Sequence, residues 1–427
     1  MAMNRIGFHY YPDDQHYTEK DLSAWLPALS ALGAGWLTVR SSASRAVPEP
    51  FLRGLLEAGI APIISLPLRL ASIRPAELSG LLEAYAHWGV RHVVIGDRPN
   101  TRAQWEPAEW GRSALVERYL DRLIPFLQAQ RAAGLQPVLP ALEPGGDYWD
   151  TAFLASTLAA LQRRGQQSLV RDLAIGMYAW SSGRSLDWGR GGGRAWPSVR
   201  PYHNSADAQD QRGFRAFDWY AQIANEAVGR SLPMLVLGGG IGQAWDPESD
   251  SEIGDLVGMV KALTSADVPD SLLAFNIYLL CADPDAAEHS SALYADPSSP
   301  RAAARALFAH AAQSTGESAP KTTGTIGHYL LLPTNGTLGR DEWNALAEYV
   351  LVWRPVIGFS ISEASLASEV TLVGDSRALP ISVETELRAA GCVVRRVIPQ
   401  ATSGPDTRPV PAAAQGPSIL AAGVSHG

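Results

Sequence analysis

The sequence predicts an α/β fold, a (β/α)8 TIM barrel followed by a small α/β module. Three observations lead there. Eight short, largely apolar runs recur along the first three hundred residues, as parallel strands covered on both faces require. Longer amphipathic stretches alternate with them, at roughly 26 to 60 residues per unit. No G-x-G-x-x-G follows the first run, which disfavours a doubly wound dinucleotide sheet.

Taken in order, the expected strands are 6–11, 35–40, 61–66, 92–96, 136–142, 173–179, 233–237 and 272–280. Helical patterns fill 21–32, 50–58, 75–88, 115–133 and 151–163. The barrel therefore spans residues 1–310. Residues 311–325, rich in Ser, Thr, Gly and Pro, read as a linker. A module over 326–400 follows, with strands at 328–332, 370–373 and 392–398 and helices at 341–353 and 382–390. A Pro/Ala/Ser/Gly-rich tail, 401–427, is expected to be disordered.

Bulk properties narrow the function. The 427 residues are 46% hydrophobic and 18% charged, enough for one large core and a small second one. A net charge of −8 argues against a nucleic-acid groove. No 18-residue apolar run marks a membrane span, and no secretory signal opens the chain, so the expected location is cytoplasmic, or the cell surface for a fragment of a longer protein. The two cysteines, Cys281 and Cys392, form no disulfide or metal framework. The histidines show no metal-ligand spacing, and no cofactor motif is present. Nothing in the sequence fixes an oligomeric state.

In a (β/α)8 barrel the chemistry lies on loops after the strand C-termini. Here the loops after strands 4 to 7 are long, the longest covering 181–204. Strand 4 ends in Gly96-Asp97-Arg98-Pro99-Asn100, and strand 7 in Gly238-Gly239-Gly240-Ile241-Gly242. These resemble the G-N-E-P-N and E-G-G-I-G motifs of clan-A retaining glycoside hydrolases, the 4/7 superfamily of cellulase-, mannanase- and galactanase-like barrels. The resemblance covers residues 5 to about 310. It implies an acid/base after strand 4 and a nucleophile ending strand 7, the two carboxyls about 5 Å apart. Arg98 and Gly238 occupy those slots. An arginine does not give up its proton, and a glycine has no side chain with which to attack. The standard double displacement is therefore not expected.

The resemblance places other residues too. Asp97 takes the position of the motif asparagine that contacts a sugar hydroxyl. Arg40 ends strand 2, where the family keeps an arginine near its nucleophile, and Tyr178 ends strand 6, where an aromatic or histidine lines the site. His9 ends strand 1 and faces the same mouth. Glu143 ends strand 5, and with Asp97 forms either a relocated acid/base pair or an ion-pair network holding Arg98 and Arg40.

Seven tryptophans, Trp105, Trp110, Trp149, Trp180, Trp188, Trp196 and Trp245, fall in these loops. Flat rings suit stacking on pyranoses, and Trp149, Trp180 and Trp245 are the candidates for a sugar platform. The same rings can also hold long loops down. A carbohydrate ligand is the expected partner. The glycine run 238–242 has a rival reading, a phosphate cradle after strand 7 in an enzyme of another class. In the C-terminal module, Val370-Thr371-Leu372-Val373-Gly374-Asp375 loosely resembles the second type of bacterial cell-wall-binding repeat, with Asp375 where a second glycine is usual.

Overall fold

The computed structural model describes residues 4–200, 208–314 and 326–333; beyond these it describes positions 346, 347, 350, 355–374, 378–380, 382–384, 387, 390 and 392–397. The chain divides into two compact units, residues 1–315 and 316–427.

The first unit is a (β/α)8 barrel. Its strands are β1 (Ile6–His9), β2 (Trp36–Arg40), β3 (Ala61–Leu66), β4 (His92–Ile95), β5 (Val138–Leu139), β6 (Ala174–Trp180), β7 (Met234–Gly240) and β8 (Leu272–Ile277). All pair in parallel, in the order β4-β3-β2-β1-β8-β7-β6-β5. The ring closes between β4 and β5 through one bridge, His92 to Gln136. β5 is short because Pro137 and Pro140 flank it and neither can donate to a ladder.

Two sets of buried side chains alternate along the strands. Ile63, Val94, Val138, Ala174, Leu235, Leu237 and Ala274, with Ala141 just past β5, form a cluster that fills the barrel. Their neighbours Ile64, Val93, Ile95, Ile175, Met177, Val236 and Phe275 face outward, into the main core shared with the helices.

Those helices are α1 (Glu19–Ala31), α2 (Glu49–Glu57), α3 (Pro75–His87), α4 (Pro107–Trp110), α5 (Leu115–Ala132), α6 (Asp150–Arg163), α7 (Gln167–Asp172), α8 (Gly192–Ala195), α9 (Ala216–Val228), α10 (Asp250–Thr264) and α11 (Ala302–Ser314). Local chemistry starts several of them. Thr18 and Asp21 form a capping box at α1, and α3 begins on Pro75, whose missing N–H costs nothing there. A short hairpin, β9 (Tyr294–Asp296) and β10 (Ser299–Pro300), precedes α11. Among the described residues no helix is long and apolar enough to cross a membrane.

The second unit carries a four-stranded parallel sheet of β11 (Ile326–Leu331), β12 (Val356–Gly358), β13 (Ala367–Val373) and β14 (Val393–Val397), in the order β12-β11-β13-β14. β12 and the short helix α12 (Ile361–Ala364) were not expected from sequence. Of the expected helix at 341–353, all but 346, 347 and 350 lies outside the described residues, as do 315–325 of the linker, Asp375 and the tail 401–427. Residues 311–314, expected as linker, complete α11.

Candidate functional site

The C-terminal ends of the strands bring most of the expected residues to one place. His9 closes β1, Arg40 closes β2, Asp97 and Arg98 follow β4, Glu143 follows β5, Tyr178 and Trp180 end β6, and Gly238 lies in β7.

Tyr178 is the centre. Its hydroxyl donates to Asp97 Oδ1 at 2.8 Å. The Arg98 guanidinium lies over its ring, with Cζ 4.7 Å from the centroid. Tyr178 is also the register partner of Gly238. A Cβ at Gly238 would stand 3.4 to 3.5 Å from Trp180, Tyr278 and Tyr178. Arg98 and Gly238 thus meet the same aromatic ring. Trp180 stacks beside Tyr178 with centroids 6.0 Å apart, and Tyr278 meets Trp180 edge-on at 5.7 Å and His9 at 5.0 Å.

Arg98 also sits between two carboxylates. Its Nε is 2.8 Å from Glu143 Oε2 and 3.9 Å from Asp97 Oδ2. The N–H is not directed at either oxygen, so these are charge contacts without a formed hydrogen bond. Burial pushes the Asp97 carboxyl above its ordinary value, against the pull of Arg98 and the Tyr178 hydroxyl. Burial raises Glu143 likewise, with Arg98 opposing and Asp97 assisting. For Arg98, burial works to lower the value, but Tyr178, Asp97 and Glu143 outweigh it and hold the charge. Burial takes His9 down to about 4, so its ring is neutral at pH 7. Since a carbonyl only accepts, Nδ1 carries the proton donated to Leu237 O at 3.0 Å.

Asn100 fixes this arrangement. It is fully buried; its Nδ2 donates to Glu143 O and Tyr148 O, and its Oδ1 accepts from Glu143 N. The loops after β4 and β5 are therefore tied at the residue that carries Glu143. Neither Asn100 nor Tyr278 was singled out from sequence. The signals were present: Asn100 ends the strand-4 motif, and Tyr278 lies one residue beyond β8, at the mouth end.

Two readings of this region are altered by the structure. The glycine run is strand over its first three residues rather than a turn throughout. Strand β7 continues through Gly240, with Gly238, Gly239 and Gly240 in register with Tyr178, Ala179 and Trp180. Gly239 is glycine for packing, because a Cβ there would lie 2.6 Å from Phe275 and 2.8 Å from Ala179 O.

The tryptophan platform is also largely absent. Trp149 is 7% exposed, with Arg212 over its ring, and Trp245 is 5% exposed within the main core. Trp105 is covered by Arg118 and Arg122, and Trp188 by Arg184. Arginines thus cover three of the loop tryptophans, of which Trp105 and Trp149 are buried. Of the three platform candidates only Trp180 packs against the Tyr178 and Tyr278 rings, and it too is buried. Arg40 stands exposed at the end of β2, with Nη1 donating to Pro12 O.

One cluster has the ligand chemistry of a metal site. Asp13, His16 and Asp283 each offer one ligand atom, all within 4.8 Å of one another. The His16 ring stacks on Tyr11 at 3.8 Å. Sequence spacing does not reveal this group, because it joins the loops after β1 and β8. The same geometry serves as a histidine paired to two carboxylates.

No family model matches the chain, and no curated protein does. Among solved structures it is similar to a family 39 glycoside hydrolase from Bacteroides cellulosilyticus WH2, with 13% identity and a TM-score of 0.49; the match covers 72% of this chain and 63% of that one. A GH39 β-xylosidase from Caulobacter crescentus matches at 11% identity and TM-score 0.44, over 71% of this chain and 70% of its own. A β-glucosidase from Exiguobacterium marinum matches at 10% and 0.43, over 74% and 98%.

Proposed function

We propose that the barrel mouth recognises a carbohydrate without the two-carboxylate hydrolysis of retaining glycosidases. One observation carries this reading. The slots for acid/base and nucleophile hold Arg98 and Gly238, and both meet the ring of Tyr178. Double displacement needs a proton donor and a nucleophilic carboxylate about 5 Å apart. Here a permanent cation stands in one slot and an aromatic cluster fills the other. What remains suits binding: the half-buried rings of Tyr178 and Tyr278 offer apolar faces, and Asp97, Glu143 and neutral His9 offer polar partners. The test is a glycan panel read by intrinsic fluorescence, with aryl glycosides assayed alongside. Binding with turnover at background is expected. A panel with no binding and no spectral change removes the reading.

A second reading has its own support. Asp97 and Glu143 flank one guanidinium nitrogen, and burial pushes both carboxyls upward, toward the range in which a carboxyl can hold a proton to donate. General acid–base catalysis contributes about 10² to 10⁴ in rate. Robust turnover of an aryl glycoside, abolished by Glu143→Gln, would replace the first reading with this one.

A further inference from the structure

This inference rests on the carbohydrate reading and names the class of ligand. Arg98 has φ of 45°, the left-handed region, although it is neither glycine nor asparagine. Such conformations persist where the surrounding structure over-determines them, and they gather at functional positions. Its N–H donates to Ala141 O at 2.8 Å, and its carbonyl accepts from Thr101 N at 3.0 Å and Thr101 Oγ1 at 2.9 Å. The side chain therefore starts from a fixed point.

A guanidinium offers five N–H donors in a planar fork. Among the described residues, the Arg98 side chain completes no hydrogen bond. Nε is buried against Glu143 with its N–H misdirected. The side chain nevertheless keeps 31% of its surface, and Nη1 and Nη2 are not among its buried polar atoms. A guanidinium held among rings is costly to desolvate without a full partner. A planar two-oxygen anion matches its fork. Arg40, exposed at the end of β2, adds a second positive charge that acts on Asp97 and Tyr278. Beside this cation stand the faces of Tyr178 and Tyr278, bordering a backbone position with no side chain of its own.

We infer that the mouth takes a uronate-bearing glycan. The carboxylate seats on the Nη1/Nη2 edge of the Arg98 guanidinium, and the pyranose ring lies against the aromatic cluster.

Calorimetry at pH 7 with methyl β-D-glucuronide, methyl β-D-glucoside and glucose 6-sulfate tests this. The glucuronide is expected to bind at least about tenfold tighter than the other two, a difference of about 1.4 kcal/mol. Arg98→Met is expected to equalise glucuronide and glucoside, and Glu143→Gln, which removes a competing negative charge, to strengthen the glucuronide. Should Arg98→Met not fold, Arg98→Lys keeps the charge without the fork and is expected to lose most of the preference. Equal, measurable affinity for glucuronide and glucoside overturns the uronate assignment and leaves carbohydrate recognition standing. A sulfate bound as tightly as the glucuronide also overturns it. If none of these sugars and no member of the glycan panel binds, both readings fall.

Discussion

Gly238 and Gly239 are neighbours that are glycine for different reasons. A methyl at Gly239 would collide with Phe275 and the Ala179 carbonyl at under 3 Å, and one of these is backbone. A methyl at Gly238 would meet three rings at 3.4 to 3.5 Å, ordinary contact. Gly239→Ala is therefore expected to cost about 1–3 kcal/mol, as overpacking does. Gly238→Ala is expected to cost less than about 1 kcal/mol. Denaturant unfolding of the two variants checks this, and equal costs would refute the packing account. Asn100 poses the opposite problem. Asn100→Ala leaves the Glu143 N–H and two carbonyls without their partner, so a loss of about 2 kcal/mol or more is expected by the same measurement.

At the scale of elements, α6 begins on a buried acid. Asp150 is 1% exposed; it accepts from Gly145 N at 2.8 Å and from Tyr220 OH at 3.0 Å, anchoring the loop that carries Glu143. Burial raises its carboxyl to about 6, against an ordinary value near 4. Between those values the folded chain keeps a proton that the unfolded chain has released. Its contribution to stability is complete below about pH 4 and is lost as pH rises through about 6, on the order of 3 kcal/mol. His9 slopes the other way. With its value taken down to about 4, its contribution is complete above about pH 6.5 and is lost as pH falls through 4. The windows overlap, and His92, also taken down to about 4 by burial, adds to the His9 slope, so wild-type stability shows only the net of opposing slopes. Asp150→Asn retains an oxygen for Gly145 N–H and removes one slope. It is expected to be more stable than wild type above pH 6 and to gain nothing at pH 4, read by denaturant unfolding across that range. A variant that tracks wild type at every pH would rule this out.

For the molecule as a whole, the barrel was legible because each strand is a short apolar run, and the strand-end rule then located the mouth. That rule was enough to gather His9, Arg40, Asp97, Arg98, Glu143, Tyr178, Trp180 and Gly238. It failed where the outcome depends on partners remote in sequence. Arg212 over Trp149 turns an expected platform into part of a packed loop, and no local pattern announces such a pair. Among the strand-7 glycines, Gly239 misled for a related reason, since its lack of a side chain answers Phe275 on β8 rather than a ligand. The division into two units carries its own test. The main barrel core draws on residues from Ile6 to Leu307, while a separate cluster, from Tyr329 to Val394, serves the second sheet. A chain of about 300 residues buries roughly three quarters of its unfolded surface, ample for independent stability. Residues 1–315 alone are therefore expected to melt in one cooperative transition with native near-UV circular dichroism. A fragment that keeps its far-UV signal but has no near-UV signal, and melts without cooperativity, would show that the barrel depends on the second unit for its packing.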